Sequence, residues 1–341
     1  MQHVSTSSTD LNHLDEESIR LVGMLRSDSW EDRLVGAVGL QHLGDEDTIP
    51  FLIEALDDSS GDVQFISVTS LWEMAHQSAV TPLTRCLRGD RSEKVRNEAL
   101  AALKELVNQD HLLMLLGLLA TDDPSLQTAV LILLRKIHDV QALPTIAPFL
   151  SAFSPDLRRE AVITLRYLNQ LTHFPPVLAL ADDLDDGVRQ ETMLTLAHMD
   201  EPSVVPLLCR ILSQDNVWNV RRNAAQALEA KADPSTVGAL AAAARDAHWQ
   251  VRKFALKALA KVMTAEQVGA IIPLLCDEYS DVRKEAAVAL GRSGSIHASA
   301  ALRQAESDSD IEVRIAATRS LQYLNNIVAQ PAGPSTAISD V

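Results

Sequence analysis

The sequence predicts an all-α fold, an α-α superhelix or solenoid of about ten helical-hairpin repeats, each 31 residues long. Three periodic features predict it: a Val-Arg-like dipeptide, a leucine after it and an aspartate before it. Apolar residues make up 47% of the 341 residues but aromatic residues only 4%, so the core must be aliphatic. The length exceeds that of one ordinary domain and suits an elongated array.

The dipeptide sets the phase of the repeat, and its second residue is taken as position 0. Successive positions 0 lie 31 or 32 residues apart. Leucine occupies +7 in all ten repeats, and aspartate occupies −6 in seven of them. Position 0 is held by Arg33, Gln64, Arg96, Gln127, Arg158, Arg189, Arg221, Arg252, Arg283 and Arg314.

Each repeat reads as two helices, because apolar residues within it recur at helical spacing. In repeat seven we expect a first helix over 203–213, a break at Asp215 and a second helix over 220–230. Positions −1, +3 and +7 share one face of the second helix, and +3 is usually small. One such pair cannot bury its apolar face alone, so neighbouring repeats must stack. We expect the array to span 15–326, with mobile segments at 1–14 and 327–341.

The pattern Asp-x-x-x-x-Val-Arg-x-x-Ala-x-x-x-Leu resembles the HEAT-like repeat of the phycobilisome-lyase type. It is clearest from Asp215 to Arg221, from Asp246 to Arg252 and from Asp277 to Arg283. The resemblance covers about 15–325 and implies a HEAT-like solenoid whose second helices line the concave face. Members of that family include bilin lyase subunits, protein-binding scaffolds and assembly factors, so the resemblance implies a fold more than a function.

Composition and missing motifs exclude several function classes. A net charge of −16 disfavours nucleic acid as a general partner. Three widely spaced cysteines and no visible signal peptide favour a soluble, cytoplasmic protein without a membrane span. The chain has no His-Glu dyad, no C-x-x-C and no nucleotide-binding or hydrolase motif. We therefore expect no metal, no cofactor and no enzymatic activity.

Two periodic features favour structural roles. We expect the aspartate at −6 and the arginine at 0 to satisfy the turn between the two helices and each other, forming a ladder along the array. Trp30, Trp218 and Trp249 all lie at −3, where we expect them to cover the apolar end of that turn. The alternative is an aromatic row that stacks nucleobases or a tetrapyrrole.

Position +1 points away from the buried stripe, which makes it a candidate binding position. The middle and later repeats place a basic row there: Arg159, Arg222, Lys253 and Lys284, which Arg135 and Arg166 at +8 would extend. This row is either a solvated edge or the site of an acidic partner segment.

The first two repeats instead carry an apolar set at the corresponding positions: Leu34, Phe65 and, at +8, Trp72. This set is either an exposed contact patch or is buried under the N-terminal segment. The row and the patch are therefore rival candidates for the binding site.

Three functions compete. The leading hypothesis is a non-enzymatic scaffold, adaptor or assembly factor that grips a protein partner on the concave face through an acidic or mixed acidic and apolar segment. The second, implied by the resemblance alone, is a lyase-like or chaperone-like subunit for a bilin or other tetrapyrrole. Binding of nucleic acid is the third.

Overall fold

A computed structural model describes residues 11, 13–168 and 171–329, and none of these residues lies in a strand. The all-α repeat fold predicted from the sequence is confirmed. The chain divides into two compact units after residue 170, so that each unit contains five repeats. The predicted mobile segments lie almost wholly outside the described residues, although the last helix extends to Ala329, three residues beyond the expected end of the array.

In unit 1, a short first helix and a longer second helix alternate along the chain. The first helices are α1 (Glu16–Leu25), α3 (Ile49–Ala55), α5 (Val80–Thr84), α7 (Leu112–Leu118) and α9 (Leu143–Ile146). The second helices are α2 (Trp30–Leu43), α4 (Gly61–Met74), α6 (Glu93–Leu106), α8 (Pro124–Ile137) and α10 (Pro155–Arg166).

Unit 2 repeats this arrangement, except that its opening first helix is a 3₁₀ segment, Pro175–Asp182. The other first helices are α12 (Val204–Gln214), α14 (Val237–Ala243), α16 (Val268–Ile271) and α18 (Ser299–Ala305). The second helices are α11 (Asp186–Leu196), α13 (Trp218–Lys231), α15 (Trp249–Val262), α17 (Ser280–Arg292) and α19 (Ile311–Ala329). The helices predicted for repeat seven match α12 and α13 to within two residues at each end.

The core of each unit is the predicted apolar stripe. All ten leucines at +7 are buried, as are the alanines at +3, such as Ala224 and Ala286. At Gly36, which holds +3 in the first repeat, an added Cβ would lie 2.7 Å from the backbone nitrogen of Leu25. Small residues at +3 therefore let the second helix approach its neighbour closely.

The ladder joins successive repeats, which corrects the pairing expected within one repeat. Arg221 donates from Nε and Nη2 to the carboxylate of Asp246, one repeat ahead, at 2.7 and 2.9 Å. Toward its own repeat, Arg221 donates only to the backbone oxygen of Asp215, at 2.8 Å. The Asp215 carboxylate instead accepts from the backbone nitrogen of Val217, at 2.8 Å. Equivalent pairs are Arg33–Asp58, Arg189–Asp215, Arg252–Asp277 and Arg283–Asp308.

Candidate functional site

Most of the predicted basic row is already paired with carboxylates. Arg159 contacts Asp156 at 2.8 Å, and the ammonium groups of Lys253 and Lys284 contact carboxylates of the following repeat. Those two distances are 2.9 Å to Asp281 and 3.0 Å to Glu312. All of these carboxylates stand at position −2. The prediction of the row rested on basic residues at +1 and +8 and took no account of acidic residues at −2.

The remaining members of the row also have partners. Arg222 donates to the Asn223 side chain at 2.9 Å and lies over the Trp218 ring. Arg135 is largely buried and binds the Glu160 carboxylate, so it is a packing element instead of an extension of the row. Arg166 is half-buried in the last turn of α10. The row therefore does not present a continuous free positive surface.

The predicted apolar patch is covered in part by its neighbours. Leu34, Phe65 and Trp72 are all half-buried. The ammonium group of Lys94 lies 3.9 Å from the centroid of the Phe65 ring, and the Trp72 indole donates to the Glu105 carboxylate at 3.0 Å. None of these three side chains is among the fully exposed apolar residues, so they offer a smaller contact surface than an exposed patch would.

Aromatic rings in unit 2 stack from one repeat onto the next. Trp218 stacks on His248 with the ring centroids 3.6 Å apart, and Trp249 stacks on Tyr279 at 5.1 Å. Trp218 and Trp249, both at −3, thus each pack on the residue at −4 of the following repeat, a packing role that joins two repeats. Trp30 differs, since it is 45% exposed. Because a neighbouring ring covers one face of each of Trp218 and Trp249, these side chains lend little support to stacking of a base or a tetrapyrrole.

The surface of unit 2 holds an open groove of about 760 Å³ along the second helices α15, α17 and α19. We call it the C-terminal groove. Val288, Ile315 and Tyr323 provide apolar surface in it. These residues stand at +5, +1 and +9, so the groove lies on the helix face that carries the predicted basic row.

Four cations and one carboxylate line the C-terminal groove. Lys284 pairs with Glu312, and Lys261 lies 3.5 Å from the carboxylate of Glu229. Arg292 and Arg319 are exposed, and within the described part of the chain neither makes an ion pair or a hydrogen bond. Among the described residues, these two arginines are therefore the cations of the groove that have no carboxylate partner.

Sequence reasoning missed both arginines because it followed only +1 and +8. A helix returns to one face every three or four residues, so +5 and +9 lie on the face of +1. Arg319 stands at +5 and Arg292 at +9. Extending the search by one and two helical turns would have found them.

The described residues contain no group of three or more His, Cys, Asp or Glu side chains able to hold a metal ion. Burial raises the pKa of the Cys86 thiol to about 11, so this thiol stays protonated at neutral pH. No helix in the described ranges combines the length and apolarity needed to span a bilayer.

Comparison with known proteins agrees with the repeat geometry. The sequence profile of HEAT repeats matches four overlapping or neighbouring stretches, 20–104, 80–166, 143–229 and 236–322. The chain belongs to the HEAT-repeat family. The match is to HEAT repeats in general and does not single out the phycobilisome-lyase type. No curated protein shows significant sequence similarity to this HEAT-repeat chain.

Two solved structures resemble the HEAT-repeat chain in fold. One is an engineered protein, 19% identical, with a TM-score of 0.52 over 91% of this chain and 99% of that one. The other is a structure described as Kap95p binding to RanGDP in nuclear import complex assembly, 13% identical, with a TM-score of 0.62. That match covers 92% of this chain and 51% of the solved chain, so this chain spans about half the length of its counterpart.

Proposed function

We propose that this HEAT-repeat chain is a non-enzymatic, cytoplasmic scaffold that acts as an adaptor or assembly factor. It binds a protein partner on the face of the second helices, through a partner segment that is acidic or mixed acidic and apolar. The observation that carries the proposal is the C-terminal groove, which combines apolar surface with two arginines that have no carboxylate partner among the described residues, on a chain of net charge −16.

Two further observations support the proposal. HEAT repeats stack so that the second helix of each repeat exposes one face. Together these faces offer more surface than a standard protein interface requires. The solved structure of Kap95p with RanGDP, which resembles this chain in fold, describes the binding of one protein to another. Similarity at 13% identity concerns the fold, so the adaptor role rests on the groove.

Site-specific photo-cross-linking in the native host tests the proposal. A benzophenone amino acid placed at Tyr323 reports on the second-helix face, and the same group at Arg303 on α18 reports on the first-helix side. Both positions are exposed. We expect a protein adduct from Tyr323 that is absent or much weaker from Arg303. Absence of any protein adduct at Tyr323, or equal labelling at both positions, would refute the scaffold role of this face.

A further inference from the structure

We propose that the C-terminal groove is the binding site for a short acidic segment of the partner protein. Two carboxylates of the segment contact Arg292 and Arg319, and an apolar side chain packs against Val288 and Tyr323. This inference rests on the proposed scaffold function and names the site and the chemistry of its occupant.

Charge complementarity identifies the occupant. Other basic side chains on the second helices of this unit are engaged: Lys253 with Asp281, and Lys257 at 3.8 Å from Glu229. Arg292 and Arg319 have no counter-charge among the described residues, so a ligand carboxylate displaces no existing partner. A planar guanidinium also binds a carboxylate through two parallel hydrogen bonds, which a lysine does not.

The dimensions of the groove limit the segment. The two arginines and the apolar side chains of the groove stand between +1 and +9 of the second helices, a length of about 12 Å at 1.5 Å of rise per residue. An extended chain covers that length in about four residues. Arg319 and Arg292 stand four residues apart along the helix direction, about 6 Å, and on neighbouring helices. We therefore expect the two acidic residues of the segment two to four positions apart, with an apolar residue between or beside them.

Nucleic acid fits the same site less well. A phosphate backbone would meet the two arginines, but it would also meet the summed field of a chain with net charge −16. In unit 2, His248 and Tyr279 already cover one face each of Trp218 and Trp249, which leaves less indole surface for stacking of bases. A peptide supplies both the carboxylates and the apolar side chain that the groove can bind.

Selection from a random 12-residue peptide library displayed on phage, with the full chain as target, tests the site. The variant R292E/R319E reverses both free charges, and R292Q/R319Q removes them without reversal. The matched control R245E/R303E makes the same change in net charge at two exposed arginines of unit 2 that do not line the groove. Circular dichroism and the melting temperature establish that every variant is folded.

We expect the selected peptides to be rich in Asp or Glu at a spacing of two to four residues, with an apolar residue nearby. Binding of such a peptide, measured by fluorescence anisotropy, should weaken at least about tenfold in R292E/R319E, because two attractive pairs become repulsive. The loss should be smaller in R292Q/R319Q and absent in R245E/R303E. Added salt should weaken binding to the wild type more than to R292E/R319E.

Several results would overturn the inference: no enriched peptide, an enriched pool without acidic residues, or equal loss in the control. Retention of a labelled single-stranded oligonucleotide that is lost in R292E/R319E, without any acidic peptide, would make the groove a nucleic-acid site. These outcomes are separate from the scaffold test. A cross-linked partner at Tyr323 whose yield is unchanged by R292E/R319E keeps the scaffold function and removes this site.

Discussion

Changing Arg283 to glutamine should loosen the attachment of the last repeat of unit 2. Arg283 donates two hydrogen bonds to the Asp308 carboxylate, at 2.7 and 2.9 Å, one to the backbone oxygen of Asp277, at 2.8 Å, and a longer one to that of Glu278, at 3.2 Å. A glutamine at position 0 can keep the backbone bond, as Gln64 does with the Asp58 oxygen at 2.5 Å. The substitution therefore removes the inter-repeat ion pair and leaves the turn bond in place.

The loss of unfolding free energy caused by R283Q follows from the burial and the geometry of the ion pair. The two side chains are 13% and 10% exposed. Two unit charges 4 Å apart attract by about 4 kcal/mol at an effective dielectric of 20, and desolvation offsets part of that attraction. After the substitution Asp308 keeps two hydrogen bonds, from the backbone nitrogen of Asp310 at 2.8 Å and from the Ser309 hydroxyl at 3.5 Å. Removing one partner of a buried pair costs about 3–5 kcal/mol, and the residual exposure and remaining bond reduce our estimate here to about 2–3 kcal/mol.

Arg314 supplies the matched control for this change. Arg314 donates to the backbone oxygen of Asp308, its own −6 residue, at 2.8 Å. Within the described ranges it forms no ion pair. R314Q should therefore cost less than about 1 kcal/mol. Urea unfolding gives the difference, with the slope of the transition showing whether the array still unfolds as one unit. Hydrogen exchange locates the effect, which we expect in α18 and α19.

The pH dependence provides a second test of the same pair. Hydrogen bonding from Arg283 lowers the pKa of Asp308 below its ordinary value of 3.8. The stabilisation is thus present above pH 3.8 and is lost as the pH falls through the folded-state pKa. The gap between wild type and R283Q should narrow below about pH 4. Equal cost for R283Q and R314Q at pH 7, or a gap that widens on acidification, would refute the reasoning.

Three more predictions follow from local geometry. Ala232 ends α13 with a φ of 49°, so A232G should stabilise the chain by about 0.5–1 kcal/mol, whereas A230G inside the helix should destabilise it by about as much, both read from urea unfolding. T121D supplies the missing ladder carboxylate for Arg96 and should raise the unfolding free energy of unit 1 by about 1 kcal/mol, with T121N as the uncharged control. Burial raises the pKa of Glu285 above 4.5, so E285Q should raise the melting temperature at pH 7, and this gain should shrink as the pH falls toward 4.5; a constant or growing gain would contradict it.

The repeat could be predicted from the sequence because the buried positions of each second helix recur every three or four residues, which is the period of the helix. Positions −1, +3 and +7 are decided by one local rule, and all ten leucines obey it. The sequence predicted which residues form the ladder, the aspartate at −6 and the arginine at 0. It did not predict that each arginine pairs with the aspartate of the next repeat. Each arginine of the five ladder pairs named above donates to the backbone oxygen at −6, which turns the other edge of the guanidinium toward the next repeat. That orientation depends on how two repeats stack, and spacing along one chain does not report it.

The candidate site was harder to predict for the same reason. Whether a cation on a helix face is free depends on the register of the adjacent helix. Lys284 and Arg319 look alike in the sequence, yet Lys284 meets Glu312 and Arg319 meets no carboxylate among the described residues. Counting charges by repeat position therefore found the helix face and Lys284, but not the two arginines that lack a carboxylate partner among the described residues.

The ion pairs of the ladder are distributed unevenly between the two units. This difference decides which part of the chain can hold a binding site rigidly. Within the described residues, ion pairs of this type link every successive pair of repeats in unit 2, through Arg189, Arg221, Arg252 and Arg283. In the described part of unit 1, Arg33 alone forms such a pair between repeats, because glutamine at position 0 or Thr and Ala at −6 interrupt the ladder elsewhere. In a stack whose stability is a sum of repeat and interface contributions, each missing pair weakens one interface. The C-terminal groove lies across α15, α17 and α19, whose two junctions are both bridged, so its arginines are held on the better-connected framework and lose less freedom when a ligand binds.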